Sequence, residues 1–574
     1  MNINFQSLVL IVVLFLTSQL SAAVPSQLDH SKVPPDISGT PDDKVTPVPA
    51  ASPSGIFLQR RAGRQLLLSS GLRGPEDLIG ATKISSTALS PLPTGNHAPA
   101  ISTMALPSTP EYGAATTVET TFNPDYALEP TTGSLVSGGV YYRTTAYINV
   151  DQTIDPFYQQ LTSYVDRIRV WHQREGSTGL KYQLGVPTGY TNTVDPVIDA
   201  NTTSGGVAPG RIYLAGLAMN RGGSEQNFQA TNPSSIRVWV SDNQGSYFSS
   251  NGSEVDLVQT GTTTTLDKPW LTVSSESSTL GYVYVAWTVA DISGQEPNNS
   301  QIRFRRSRNG VSARSRLVCH PSGSPCEYVS TWDPPATVAA GEVQAAQIVV
   351  DGQGYVYVIW MRYNGGHRRV EMVRSLQPGA SPNSSGIVFG ATQILATTEL
   401  APFDMTVSVS NGTRQIRAVP CAAATYNAVL NRVQVAWHER ETVGPNPAVT
   451  NIRYVTCTPT ASSSCTTASL PGGVAGVSEW APAVDTDEAG NLLLSYYRVP
   501  VTASNWTMSA AFIGSSSASL TISGSGGCSQ SEARIGEYHG LRRVSHPNGN
   551  RFEVAYVCGS ESQDSRTIQQ QWVK

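Results

Sequence analysis

Two sets of residues in this 574-residue chain have the types that handle sugars. Acidic residues stand just ahead of a recurring apolar strand, at Asp195, Asp267, Glu342, Glu479 and Glu537, with Trp270, Trp480, Tyr538 and His539 beside them. Other ionisable residues follow that strand, at Arg362, His438, Glu439, Arg440 and Arg498, with Arg221 and His367 a little beyond. Carboxylates and guanidinium forks bond hydroxyl or acidic groups, and aromatic faces stack on pyranose rings. A pair of carboxyl groups can also hydrolyse a glycosidic bond, at a separation of ~5–5.5 Å or ~6.5–9.5 Å according to stereochemistry. Glu537, Tyr538, Glu479 and Asp267 are the candidates for catalysis. Arg362, His438, Arg440, Arg498 and Trp270 are the candidates for substrate binding. The competing reading is structural, with the same carboxylates holding neighbouring elements together or coordinating a structural Ca²⁺.

The strand that would position these groups is Tyr282-Val-Tyr-Val-Ala-Trp287, which returns as Tyr355-Val-Tyr-Val-Ile-Trp360 and Arg432-Val-Gln-Val-Ala-Trp437. Looser copies are Arg211-Ile-Tyr-Leu-Ala-Gly216, Asn491-Leu-Leu-Leu-Ser-Tyr496 and Arg551-Phe-Glu-Val-Ala-Tyr556. Successive copies lie about 59 to 77 residues apart, enough for a four-stranded sheet with long loops. Each copy is apolar on both faces of its pleat and therefore has to be covered on both sides. Six antiparallel sheets in succession, with no helix pattern between them, predict an all-β fold, a six-bladed β-propeller. In such a ring the first strand of each blade starts at the same face of the central channel at which the second strand ends. Both sets of ionisable residues then meet at one channel mouth.

The last repeat runs out one strand early, so an upstream segment has to complete it. Residues 141–150 and 167–171, within a contributing stretch 131–190, are the expected source. Because these two segments compete, a seventh partial blade is the alternative. Gly in the hairpin turns Asp351-Gly-Gln-Gly354 and Asp487-Glu-Ala-Gly-Asn491 supplies the positive φ that tight turns need.

Ser241-Asp-Asn-Gln-Gly-Ser-Tyr-Phe248 resembles the Asp-box of sialidases and the related bacterial neuraminidase-repeat proteins, with Asn243 in the Asp position and Phe248 in the Trp position. Ser307-Arg-Asn-Gly310 is a weaker echo. Asp267-Lys-Pro-Trp270 and Ile535-Gly-Glu-Tyr-His-Gly-Leu541 look like strand starts in secreted sialidase-like propellers. The resemblance covers residues 190–574 and implies a propeller whose Asp-box turns stabilise blades away from the catalytic face. Catalytic sialidases carry an F/Y-R-I-P motif and an arginine triad. This chain has no R-I-P, and Ile302-Arg-Phe-Arg305 does not replace it. By resemblance of roles, Arg362, Arg440 and Arg498 with Tyr538 opposite would suit an anionic sugar.

Other chemistries find little support. His438-Glu-Arg-Glu-Thr442 lacks the second His of a zinc-protease helix, and neither a nucleophile elbow nor a phosphate-binding loop is present. A formal charge of −4, with 14% charged residues, leaves no basic footprint for nucleic acid. No cofactor is expected, and the protein is read as a monomer that binds a glycan or glycoconjugate. The rival class is a non-catalytic extracellular adhesion or scaffold protein that holds a protein partner through its blade loops.

An apolar run over residues 8–16 followed by small residues to Ala23 reads as a secretory signal peptide, with an uncleaved anchor as the rival. The expected location is secreted or periplasmic. Seven cysteines fit an oxidising compartment, and proximity in sequence pairs Cys319 with Cys326, Cys457 with Cys465 and Cys528 with Cys558, leaving Cys421 free. Residues 24–130 are rich in Pro, Ser and Thr and read as a disordered linker or pro-segment. Within them, Ile56-Phe-Leu-Gln-Arg-Arg-Ala-Gly-Arg-Gln-Leu-Leu-Leu68 mixes apolar and basic residues, as a surface-docking element or a plain tether would.

Overall fold

A computed structural model describes residues 115–573 with interruptions, the longest at 221–232 and 522–537. The signal peptide, Cys319, Cys326, Cys528, Arg221 and Glu537 lie outside the described residues.

Seven antiparallel sheets follow one another, six of four strands and one of five, each with four strands in radial order, so the fold is a seven-bladed β-propeller. Blade two is representative, with strands Asn192–Ala200, Ile212–Met219, Ser234–Ser241 and Ser253–Val258 running from the channel outward. All six copies of the repeated motif are second strands of blades, and their burial explains their composition. Trp287, Trp360 and Trp437 are fully buried, and the residues on both pleat faces of these strands belong to clusters shared with the neighbouring blades. The wedges between blades are therefore the core.

The seventh blade is the stretch expected to supply only a closing strand. Val140–Ile154 and Leu161–Arg174 pair with each other, flanked by Thr131–Thr132 and Leu180–Gln183, and form blade one. Neither segment joins the last sheet. Closure comes instead from Thr116–Thr121, which pairs antiparallel with Ser565–Val573 and completes blade seven. Residues 116–121, read from sequence as part of the 24–130 linker, are thus a strand of the last blade. An outermost strand needs partners on one edge only, so a Thr-rich sequence that buries Val118 is sufficient there.

The predicted hairpin turns form as expected. Asp351 Oδ1 accepts the backbone N–H groups of Gln353 and Tyr355, and Asp487 Oδ1 accepts those of Ala489 and Asn491. Gly354 and Gly490 take φ of 82° and 85°. In the Ser241–Phe248 turn, Ser241 Oγ donates to Asn243 Oδ1 and accepts from Gly245 N–H, while Phe248 buries against the Trp239 cluster. The turn also joins the neighbouring blade, where the Tyr182 hydroxyl donates to the Gly245 carbonyl at 2.6 Å. Cys457 and Cys465 are disulfide-bonded across paired strands, Cys558 is disulfide-bonded as well, and Cys421 keeps a free thiol.

Candidate functional site in the channel

The innermost strands share a kink at one register. Aligned on the residue opposite the repeat's Ala286 position, they break their ladder just before Val197, Trp270, Gln347 and Ala483. The residue two places earlier is left-handed in five blades: Glu129 (φ 42°), Asp195 (54°), Lys268 (47°), Ala345 (56°) and Ala481 (49°). A non-glycine residue at positive φ is uncommon, and its repetition around a ring marks a built bulge. Proline follows in four of the five, at Pro130, Pro196, Pro269 and Pro482. Proline has no N–H to leave unpaired on a strand edge that faces the channel. The two remaining blades place Cys421 and Tyr538 at the same position.

This register is a collar at which side chains from different blades meet. Lys268 from blade three interacts electrostatically with Asp267 beside it, Cys421 of blade five, Asp195 of blade two and Glu129 of blade one. Residues of those four blades can approach one ammonium group only near the axis. Burial works against the charge on Lys268, but the surrounding acidic groups outweigh it and raise its pKa. Lys268 Nζ lies 3.9 Å from Asp267 Oδ2, which also accepts a 3.1 Å bond from Gln344 Nε2. Burial raises the pKa of Asp267; Lys268 opposes the shift and Asp195 adds to it.

Beneath the collar two aromatic rings cross the channel. Trp270 of blade three and Tyr538 of blade seven meet edge to face with centroids 6.2 Å apart, and the Tyr538 hydroxyl donates to the Pro196 carbonyl of blade two at 3.1 Å. Below them lies a chamber of about 420 Å³ walled by the second halves of the inner strands.

The candidates proposed from sequence divide on this geometry. Asp267, Trp270 and Tyr538 come together at the collar. Arg362 does not join them: its Nε bonds Glu371 at 2.7 Å, and the same carboxylate accepts from Trp360 Nε1. Arg498 lies 3.6 Å from Glu479 on the paired strand, so both groups belong to the wall of blade six. Burial raises the pKa of Glu479 while Arg498 lowers it. His438 is buried and accepts the Ala481 N–H at 3.3 Å, bracing the bulge of the next blade. Arg440 is exposed near the end of its strand. Trp480 and His539 are buried between blades rather than open to the channel mouth. Sequence reasoning passed over Lys268 and Glu129; it placed Asp195 in the acidic ring but among neither the catalytic nor the substrate-binding candidates. The recurrent X-Pro step before each repeat was the available signal for them.

By sequence the chain matches no family model and no curated protein. Among solved structures it is similar to an α-L-arabinanase of Penicillium chrysogenum complexed with arabinobiose, at 10% identity and a TM-score of 0.39 over 80% of this chain and 98% of that one. It is also similar to the α-L-arabinofuranosidase of Fusarium graminearum complexed with arabinobiose (8% identity, TM-score 0.35, 78% and 92% covered). A third is the endo-1,5-α-L-arabinanase of Thermotoga petrophila (11%, 0.28, 78% and 99%). No substrate follows from likenesses of this size.

Among the described residues no group of three or more His, Cys, Asp or Glu side chains is arranged to hold a metal ion.

Proposed function

We propose that the protein binds a neutral glycan at the collar and hydrolyses one of its glycosidic bonds there. The observation that carries this reading is the convergence of Asp267, Asp195, Glu129 and Lys268 above the crossed Trp270–Tyr538 pair. Aromatic rings under a set of convergent charged groups suit a sugar, whose ring faces are apolar and whose rim is hydroxyl. Occupation of Arg362 and Arg498 by Glu371 and Glu479 favours a neutral sugar over an anionic one. Asp267 suits the general acid, because burial and the neighbouring Asp195 both favour its protonated form. Asp195, whose charge acts on Asp267, suits the partner that activates water or attacks the anomeric carbon. In the reaction the Asp267 proton passes to the leaving oxygen as the glycosidic bond breaks, water adds its oxygen to the anomeric carbon, and the proton that this water releases goes to a site carboxylate. Glu537, outside the described residues, has the same sequence offset from Gly540 as Asp267 has from Trp270 and stays a candidate on that ground. The Cys457–Cys465 disulfide supports placing this activity outside the cytoplasm.

A glycan array probed with the full chain, followed by a reducing-end assay on each bound glycan, tests the reading. Trp270→Ala should weaken binding at least ~10-fold, the loss expected when an aromatic platform contributing about 1.5 kcal/mol is removed. Asp267→Asn should leave binding within a few-fold and reduce turnover by ~10²–10⁴. Absence of any bound glycan sinks the whole reading. Binding without turnover in the unmutated chain leaves a lectin and removes the hydrolytic step.

A further inference from the structure

A carboxyl group that delivers a proton must carry it on the oxygen that faces the substrate, and the groups behind it decide which oxygen that is. Behind Asp267 stands an amide from the next blade. Asp267 and Gln344 occupy equivalent positions on the inner strands Thr264–Val273 and Val343–Val350, each directly ahead of a left-handed residue. Blades two and six carry Val194 and Trp480 at that position, so the ring itself does not require a polar pair there. The Asp267 side chain is 13% exposed and Gln344 is 1% exposed, so the acid reaches the channel and the amide is shut away from it. Ser300 of blade three accepts the Val343 N–H and donates to the Gly341 carbonyl, both at 2.7 Å. These bonds pin the backbone beside Gln344 to the blade that carries Asp267.

The amide is anchored by the acid alone. Its Nε2 donates to Asp267 Oδ2 at 3.1 Å, while its Oε1 is buried with no partner among the described residues. Buried acceptors are rarely left unpaired, and this one shows that nothing in the wall holds the amide in place. Oδ2 thus faces two nitrogen donors, Gln344 Nε2 and, at 3.9 Å, Lys268 Nζ. Both require a lone pair on that oxygen, and no side chain among the described residues bonds Oδ1. In the neutral acid the proton therefore belongs on Oδ1. Across the ladder from Asp267 stands Thr288, buried, whose hydroxyl bonds nothing among the described residues. The charged groups acting on Asp267 are Lys268 on its own strand and Asp195 of blade two, with Glu129 and Cys421 acting on Lys268 from blades one and five.

We propose that Gln344 is a positioning residue for the acid, holding Oδ2 of Asp267 as an acceptor in both protonation states and so confining the transferable proton to Oδ1. The consequence for turnover rests on the hydrolytic reading above; the effect on Asp267 itself does not. In the transfer the Oδ1–H bond breaks, its electron pair stays on Oδ1 and the proton joins the leaving oxygen, while the Nε2–H bond to Oδ2 strengthens onto a full carboxylate. Carbon-detected NMR of the full chain, labelled in its aspartate carboxyls, follows the Asp267 titration directly, with the signal assigned by its loss in Asp267→Asn. Gln344→Met keeps the side-chain length but removes the donor, and should raise the midpoint by roughly one pH unit or more. Gln344→Glu should raise the upper midpoint further, because two carboxyls then share one proton. Thr288→Val, which removes an unbonded hydroxyl from the same wedge, should leave the midpoint where it was. On a glycan that the unmutated chain cleaves, Gln344→Met should lower kcat roughly 10-fold with KM within about two-fold, and move the basic limb of the pH profile up with the midpoint. An unshifted midpoint in Gln344→Met, or an equal shift in Thr288→Val, overturns the proposal whether or not any glycan is cleaved. A shifted midpoint in a chain that cleaves no glycan removes the hydrolytic reading and supports Gln344 as the residue that sets the protonation of Asp267.

Discussion

His539 shows how far the demands of the ring override the chemistry a residue type suggests. Its Nε2 lies 2.7 Å from Ser495 Oγ and its ring meets Tyr497 edge-on at 5.4 Å. A second histidine, His438, accepts the N–H of the left-handed residue Ala481. Burial lowers the pKa of His539 to about 3. The unfolded chain binds a proton at this site below pH ~6.5 and the folded chain does not. The stabilisation is therefore fully present above pH ~6.5 and is lost as pH falls toward 3, at up to about 1.4 kcal/mol per pH unit. The buried carboxyls Asp199, Asp267 and Glu479 have raised pKa values and act with the opposite sign, favouring the folded state as pH falls. The difference between two proteins isolates the histidine. His539→Gln, which keeps a polar group near Ser495 but does not titrate, should melt below the unmutated chain at pH 7 and close much of that gap by pH 4.5. Melting curves that stay parallel across this range would show that His539 is not buried in its neutral form.

At the level of the element, the inner strands are sewn together by side chains at one position beyond the bulge. Asp199 of blade two accepts Val273 N–H of blade three, and at the equivalent position Asp485 of blade six accepts Arg543 N–H of blade seven. Thr272 donates to the Ile348 carbonyl of blade four, and Thr425 of blade five donates to Asp485. These bonds satisfy groups on the channel edge of a strand, where no ladder partner exists. Asp485 Oδ1 accepts from Thr425 and Thr486 N–H while Oδ2 accepts from Arg543 N–H at 2.7 Å. An amide cannot serve all three, because its NH₂ would face a backbone donor. Asp485→Asn should therefore cost nearly as much as Asp485→Ala, about 1–3 kcal/mol each, and a calorimetric scan showing the amide to be neutral would refute the clamp. Elements of this kind were only partly legible in the sequence. The Val-Tyr-Val-Ala-Trp strands stood out because a strand covered on both faces must be apolar on both. The second strand of blade one has the same register with Ala146 and Tyr147, but Thr144 and Thr145 fill the pleat where Tyr284 and Val285 stand, so the pattern was hidden by polar residues that bond His172 and Gln570. The collar was hidden for another reason: a bulge breaks the two-residue period by which strand residues are assigned to a face. Arg362 and Arg498 were correctly located on their strands, yet their partners Glu371 and Glu479 could be recognised only once cross-strand register was known.

For the molecule as a whole, the question is what keeps a ring of seven wedges shut. Blade seven takes its fourth strand from Thr116–Thr121, whose Thr117 bonds Gln569 from 452 residues away. Blade one seals against the same blade through side chains, with Arg143 paired to Glu553 at 3.4 Å and Thr145 donating to Gln570 at 2.8 Å. The two contacts differ in kind. The first covers the backbone edge of Ser565–Val573, and the second joins neighbouring wedges near the axis. Loss of the first leaves an open strand edge that can pair with another chain. It also exposes the pocket of Val118, whose burial is worth about 1.5–3 kcal/mol, and forfeits a row of ladder bonds at about 1 kcal/mol each. A chain beginning at residue 115 should therefore melt with the full-length protein and stay monomeric. One beginning at residue 129, which keeps every strand of blade one, should melt well below it and associate as its concentration rises. A synthetic peptide covering 115–122 should restore both properties to the shorter chain, since the groove it fills is otherwise intact. If light scattering and calorimetry find the two truncated chains alike, then the ring is held by its side-chain seal between blades one and seven, and the closing strand is an ornament on its edge.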